Sequence, residues 1–415
     1  MVLSKPPVNH RKTISRRALF GSGILSLAAL KLPAKPASAE VSLSVGALFS
    51  LAGNSADLGT QSKLMMEVAA GDLEALLGDF SAWPHARDTG VSFDLMFEDT
   101  QLEPTIAAHK AKRLIDRGVQ FLIGPQTSAE VAAVKPITDA AGVVLVSQGS
   151  TASSLSIPND TVFRFVPDDT LESKAIAAAA GGMGIKAMVP VWRGDAGNQG
   201  LAASLRTFGP GLGVSVATGF EYPTAGANFT TVASELATAV GILKSTLPLS
   251  QIAVFVAGFD EAASLLSAAS ASSDLSSVRW FATDGIALSS AFLAPGPAQF
   301  AEMTQLAAAN LGLPAEAQLL RDPILQATGL TSPIPFAFAA YDAFACATLA
   351  WLLAGKERTK VRDTLAPVAK QHFGTTGWAL LNANDDRAIG NFEFFGIVNG
   401  SGGPQWTGLF SQQVS

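Results

Sequence analysis

The sequence predicts an α/β protein built from two doubly wound parallel sheets. Three observations carry this. Short apolar runs alternate with stretches of helical period, each run ends in a turn rich in small, polar residues, and the same order restarts after residue 163. Apolar runs of this length suit strands buried on both faces of a parallel sheet. Regular strand–helix alternation builds doubly wound sheets.

In chain order, residues 41–48 alternate as a strand and run into Phe49-Ser50-Leu51-Ala52-Gly53-Asn54, and helical spacing follows over 59–77. Residues 81–90, with Trp83 and Pro84, read as a loop. A strand over 91–97 ends in Glu98-Asp99, and 105–117 place Ile106, Ala107, Leu114 and Ile115 on one helix side. The most informative stretch is 121–155. Phe121-Leu122-Ile123 is a strand ending in Gly124-Pro125-Gln126-Thr127-Ser128. A helix then leads to Val143-Val144-Leu145-Val146, a strand ending in Ser147-Gln148-Gly149-Ser150-Thr151. Open α/β sheets bind ligands beyond the carboxyl ends of their strands. Two adjacent strands thus deliver two hydrogen-bonding loops to one edge, the outline of a small-molecule cleft. After residue 163, helices over 171–180, 200–208, 228–244 and 261–270 alternate with strands over 187–191, 214–217, 252–256 and 279–282. A helical segment over 336–353 and a β-like tail at 378–381 and 391–398 follow.

The front of the chain is different. Residues 1–39 hold seven basic residues and no acidic one, with an apolar run from Ala18 to Leu30 and the small-x-small triplet Ala37-Ser38-Ala39. This predicts a signal peptide cleaved near Ala39/Glu40, its apolar run too short to cross ~30 Å of hydrocarbon. Ser15-Arg16-Arg17-Ala18-Leu19-Phe20 resembles the twin-arginine motif, and Lys35 disfavours the general secretory route. Export to the periplasm by the twin-arginine translocase is therefore expected. No other segment is expected to span a bilayer.

Without residues 1–39, 21 basic residues face 34 acidic ones, a net charge of about −13 that argues against a nucleic-acid partner. The single cysteine, Cys346, excludes an intramolecular disulfide and sits in an apolar helical stretch, which favours packing over catalysis. His85, His109 and His372 have no metal-ligand spacing, and no nucleophilic triad is readable. Gly181-Gly182-x-Gly184 follows a helix and precedes a strand, the wrong order for a dinucleotide loop. No cofactor is expected.

The order of several motifs resembles the type I periplasmic solute-binding proteins that serve branched-chain amino acids, amides and urea through ABC transporters. The motifs are Gly46-Ala47 through Gly53 to Gly59, Asp99 with Pro104, the two loops at 124–128 and 147–151, Phe163-Arg164 with Pro167-x-Asp169, Tyr341-Asp342-Ala343 and Gly374-x-x-Gly377. The resemblance covers residues 41–398. It implies two Rossmann-like lobes joined by three crossovers, with a solute held between them. Lobe one would comprise 40–162 and 292–388, and lobe two 163–291 and 389–415. It also implies a non-enzymatic role: solute capture by hinge closure and delivery to an ABC permease. A ligand-sensing module of the same fold is the alternative, and a hydrolase using the cleft is the alternative of another class.

By this resemblance, Ser128 receives a ligand carboxylate; its plain alternative is a helix N-cap. Gly149, through its carbonyl, and Thr151 accept from a ligand ammonium, or serve only as turn residues. Asp284 pairs with that ammonium, or forms an Asp-Gly turn. A carboxylate in a desolvated cleft is costly without a cationic partner, which a cationic ligand group would supply. Phe259 lines the pocket, or packs at a helix start. Gly197-Asn198 stands where relatives often carry Tyr-Gly, which enlarges the pocket; Leu58 replaces another aromatic, and Trp192 could compensate. Ligand identity among amino acids, amides and aromatic carboxylates stays open.

Overall fold

The computed structural model describes residues 41–52, 56–80, 91–331 and 333–415. The signal-peptide expectation, the loop at 81–90 and Gly53-Asn54 lie outside the described residues. Within them the chain forms two main sheets. The first has five parallel strands in the order β2-β1-β3-β4-β5. They are β1 (Val41–Phe49), β2 (Val91–Asp99), β3 (Phe121–Ile123), β4 (Val144–Ser147) and β5 (Val162–Arg164). Every residue of β3, β4 and β5 is buried, as short unbroken apolar runs require.

The second sheet has eight strands. Its parallel part is β6 (Ala187–Arg193), β7 (Ser215–Val216), β8 (Phe220–Tyr222), β9 (Ile252–Ala257), β10 (Arg279–Ala282) and β11 (Ala307–Leu311). After a two-stranded ribbon of β12 (Phe373–Gly374) and β13 (Gly377–Trp378), the hairpin β14 (Gly390–Gly400) and β15 (Gly403–Val414) adds to it antiparallel, against β11.

The chain passes between the sheets three times: after β5, after β11 and before β14. This corrects the boundary expected at 292. The helix Pro295–Met303 packs on Ala262–Ala269 and on β14, and β11 pairs with β10, so the chain stays with the second sheet to Leu311. The sequence Ala-Ala-Ala-Asn-Leu of β11 carries no β-branched or aromatic residue, so propensity gave no strand signal there.

The expectation that no further segment could span a bilayer is also corrected. Helix Pro335–Leu353 has the necessary length and apolar character. Most of it is buried, however, in the first-sheet core against Ala56–Phe80, with Phe344 edge-on to Phe93. Cys346 is buried in the same helix. One turn away, the fully buried Asp342 accepts from the Thr375 and Thr376 amides at 2.8 and 2.9 Å and from their hydroxyls at 3.0 and 2.6 Å. Its carboxylate thereby ties the turn between β12 and β13 to the core helix.

Asp342→Ala strands three buried donors, the Thr375 and Thr376 amides and the Thr376 hydroxyl, while the Thr375 hydroxyl keeps the Phe338 carbonyl at 3.0 Å. The expected cost is ~3–5 kcal/mol, read by calorimetry as a melting temperature lower by ~4–6 °C. An unchanged melting temperature would contradict this role.

Candidate ligand-binding cleft

The loops after β3 and β4 interlock. Ser147 Oγ donates to the Pro125 carbonyl at 2.7 Å and accepts from the Gly149 and Ser150 amides at 3.3 and 3.0 Å. A Cβ at Gly149 would stand 2.6 Å from the Gln126 carbonyl oxygen, so only glycine permits this approach. The N-cap expected at Ser128 belongs instead to Thr127, which forms a capping box with Glu130 on helix Ser128–Ala141. Ser128 is thereby freed from capping. Its hydroxyl lies 3.0 Å from Ser150 Oγ and accepts from the Ala152 amide at 3.1 Å. Ser128, Gly149 and Thr151 thus share one rim.

Thr151 also faces the start of helix Asp169–Gly182. Its carbonyl accepts from the Asp169 amide at 2.8 Å. Asp168 caps this helix, its carboxylate accepting from Leu171 N–H, and Asp169 and Glu172 project one turn apart from the same end. Both are only 2 % exposed. Glu172 Oε1 accepts from the Asp284 amide at 2.8 Å, so the loop after β10 is held against the same helix end.

The result is three acidic side chains at one place with little to neutralise them. Burial, then the Asp284 charge, pushes the Asp169 carboxyl up to about 8, against the pull of the Thr151 hydroxyl. Burial pushes Asp284 up to about 6. Glu172 rises well above the carboxylate range, from burial and then from Asp284 and Asp169. Asp169 Oδ2 is buried without a hydrogen-bond partner. The nearest arginines are engaged elsewhere: Arg164 pairs with Asp386, and Arg193 lies 3.2 Å from Asp195.

Phe259 lies beside this cluster. A Cβ at Gly285 would stand 2.9 Å from its ring, which is 45 % exposed and lies under the Arg193 guanidinium at 5.2 Å. The ring is therefore no core phenylalanine. At the position of the expected Tyr-Gly, a Cβ at Gly197 would stand 3.5 Å from Asp195 Oδ1, and Asn198 is turned to Asp195, which its side-chain amide bonds at 2.8 Å. Trp192 is held by Glu221 at 3.1 Å and by the Arg206 guanidinium at 4.9 Å. Leu58 packs against the first core.

All five residues expected from sequence thus lie at or next to these loop ends. Sequence reasoning used Asp169 only as a crossover marker and missed Glu172. Both read as acidic residues in a first helical turn, where the macrodipole alone accounts for them. The signal was their spacing of three, which puts both carboxylates on one face. Among the described residues no group of three His, Cys, Asp or Glu is arranged to hold a metal ion.

The fold has counterparts among known proteins. Residues 85–350 match the profile of the receptor family ligand binding region. An uncharacterized protein of Methanocaldococcus jannaschii is 26 % identical over 383 residues, 87 % of this chain and 88 % of its own length. A leucine binding protein of Thermotoga maritima superposes with a TM-score of 0.66 at 19 % identity, covering 89 % of this chain and 98 % of its own. A branched-chain amino acid transporter substrate binding protein of Streptococcus pneumoniae, in complex with isoleucine, gives 0.63 at 20 %, covering 90 % and 99 %. A solute binding protein of R. palustris in complex with benzoate gives 0.65 at 18 %, covering 90 % and 98 %.

The raised carboxyls make stability depend on pH. The folded state holds protons that the unfolded chain releases near pH 4, so stability is greatest in mild acid and falls as pH rises toward 8. Calorimetry of the ligand-free protein is expected to show a melting temperature lower by ~3–8 °C at pH 8 than at pH 5. Glu172→Gln, which removes one of the repelling charges, should flatten this slope. A melting temperature that rises over the interval would overturn the reading of the cluster.

Proposed function

Since the chain belongs to the family of receptor ligand binding regions, we propose that it is the solute-binding component of an ABC importer, exported to the periplasm by the twin-arginine route. It captures an amino acid or a related small amide or carboxylate between its lobes and passes it to a membrane permease. No covalent chemistry is involved.

The observation that carries this is the convergence of Thr151 and Asp284, from different sheets, on the end of one helix. A ligand ammonium seated there would meet the Gly149 carbonyl, the Thr151 hydroxyl and the Asp284 carboxylate, with Phe259 along its flank. Ser128 and the amides around it would meet the ligand's polar end. Such a solute touches both lobes only in the closed form, and closure is driven by that difference. Micromolar affinity needs about 8 kcal/mol net, which a few charge-assisted hydrogen bonds in a closed cleft can supply.

A thermal-shift screen of the purified protein against amino acids, amides, urea and aromatic carboxylates tests this, since a ligand that binds only the folded state raises the melting temperature. Amines are expected to raise it by several degrees in the wild type and by ~1 °C or less in Asp284→Ala, where a charged hydrogen bond is lost. A shift confined to aromatic acids or neutral amides would remove Asp284 from this role. No shift with any solute would contradict the importer reading.

A further inference from the structure

Resting on the solute-binding reading, we propose that the solute is a net-cationic small amine, carrying more positive than negative charge, held by Asp169, Glu172 and Asp284 together. A zwitterion brings one positive charge to this end of the cleft and returns one negative charge to the other. The cleft is unsuited to that exchange.

The acidic end is over-supplied. Asp169, Glu172 and Asp284 meet around one helix terminus, and none of them forms an ion pair among the described residues. Arg164, on β5, is fully buried, paired with Asp386 and 4.0 Å from Asp168, and its charge is only the last and smallest of the influences on Asp169. Arg193, on β6, faces Asp195, Glu261 and the Phe259 ring. Asp169 Oδ2 is an independent sign of a missing partner. It is buried and unbonded, in a residue 2 % exposed, and it borders Gly200, where a Cβ would stand 3.8 Å from it. A hydrogen-bond donor placed there would satisfy an atom that the protein leaves unsatisfied.

The opposite rim is under-supplied. Ser128, Ser150 and the amides of the loop offer hydroxyls and N–H groups; the guanidinium beside them, Arg164, is fully buried, donates to the Ala152 carbonyl and pairs with Asp386, and the Ser128 hydroxyl is already shared with Ser150 and Ala152. This rim can hold a polar group or a carboxylate by hydrogen bonds but returns no charge. A metal ion is the wrong cation for these acids, since among the described residues no three such ligands are arranged to hold one. An amine or guanidine group, with several N–H donors spread over its surface, matches two carboxylates from one helix end and a third from the loop after β10.

The test is titration calorimetry with five probes: putrescine, agmatine, arginine, citrulline and leucine. Arginine and citrulline differ mainly in the side-chain charge, and agmatine is arginine without its carboxylate. At least one of putrescine, agmatine and arginine is expected to bind tenfold or more tighter than both citrulline and leucine. Its affinity should rise from pH 6 to pH 8 as bound protons leave the carboxyls, and proton release should appear as a dependence of the heat on buffer. Glu172→Gln and Asp169→Asn, each checked for native circular dichroism, should shrink the preference at least threefold. Binding of agmatine without arginine would identify a decarboxylated amine as the source of the charge, and binding of both a cationic amino acid. Equal or tighter binding of citrulline or leucine would overturn the inference and leave solute binding standing. So would binding of none of the five where another neutral or anionic solute binds. Failure of every solute would instead overturn the function on which the inference rests.

Discussion

The arrangement depends on one buried ion pair, Arg164 with Asp386. Arg164 ends β5 with no exposed surface, and its guanidinium reaches Asp386 on the chain's return passage 222 residues later. The same side chain donates to the Ala152 carbonyl at 2.7 Å, while its amide donates to Asp385 at 3.1 Å. Arg387 then donates to the carbonyls of Phe165 and Thr376 at 3.1 and 2.7 Å. Two of the three passages between the sheets are therefore bound to each other and to the loop that carries Thr151. Removing one partner of such a pair leaves an uncompensated buried charge, which costs far more than a surface pair ever contributes.

That pair also sorts the acidic residues. Asp386 and Asp168 lie within reach of Arg164 and are neutralised by it. Asp169, one residue further, has its amide on the Thr151 carbonyl and forms no ion pair among the described residues. The boundary between a paired carboxylate and an unpaired one falls between two consecutive residues, set by which side of the helix start each occupies. Charge left unmatched among Asp169, Glu172 and Asp284 disfavours the folded protein as pH rises.

Much of the fold was legible because its strands are short apolar runs with turns at their ends, and the two loops at 124–128 and 147–151 stood out for that reason. β11 was not legible, because alanine is silent about sheet and burial alone makes Ala307–Leu311 a strand. β15 escaped because it is an edge strand with a polar, largely exposed sequence. The loop ends that carry Ser128, Gly149, Thr151, Phe259 and Asp284 were legible from motif order. Glu172 was not, because its neighbour Asp284 lies 112 residues away and only tertiary contact joins them. The cap at Thr127 rather than Ser128 shows the same limit at short range. Either residue could cap, and the Glu130 side chain chose.

Among the described residues, Asp169, Glu172 and Asp284 have no cationic partner of their own. Carbon-13 NMR titration of the aspartate and glutamate side-chain carboxyls measures this directly, with Asp169→Asn, Glu172→Gln and Asp284→Asn as assignments. Three carboxyls are expected to titrate above the ordinary range in the ligand-free protein, with each substitution lowering the other two. Ordinary carboxylate titration at all three positions would contradict it.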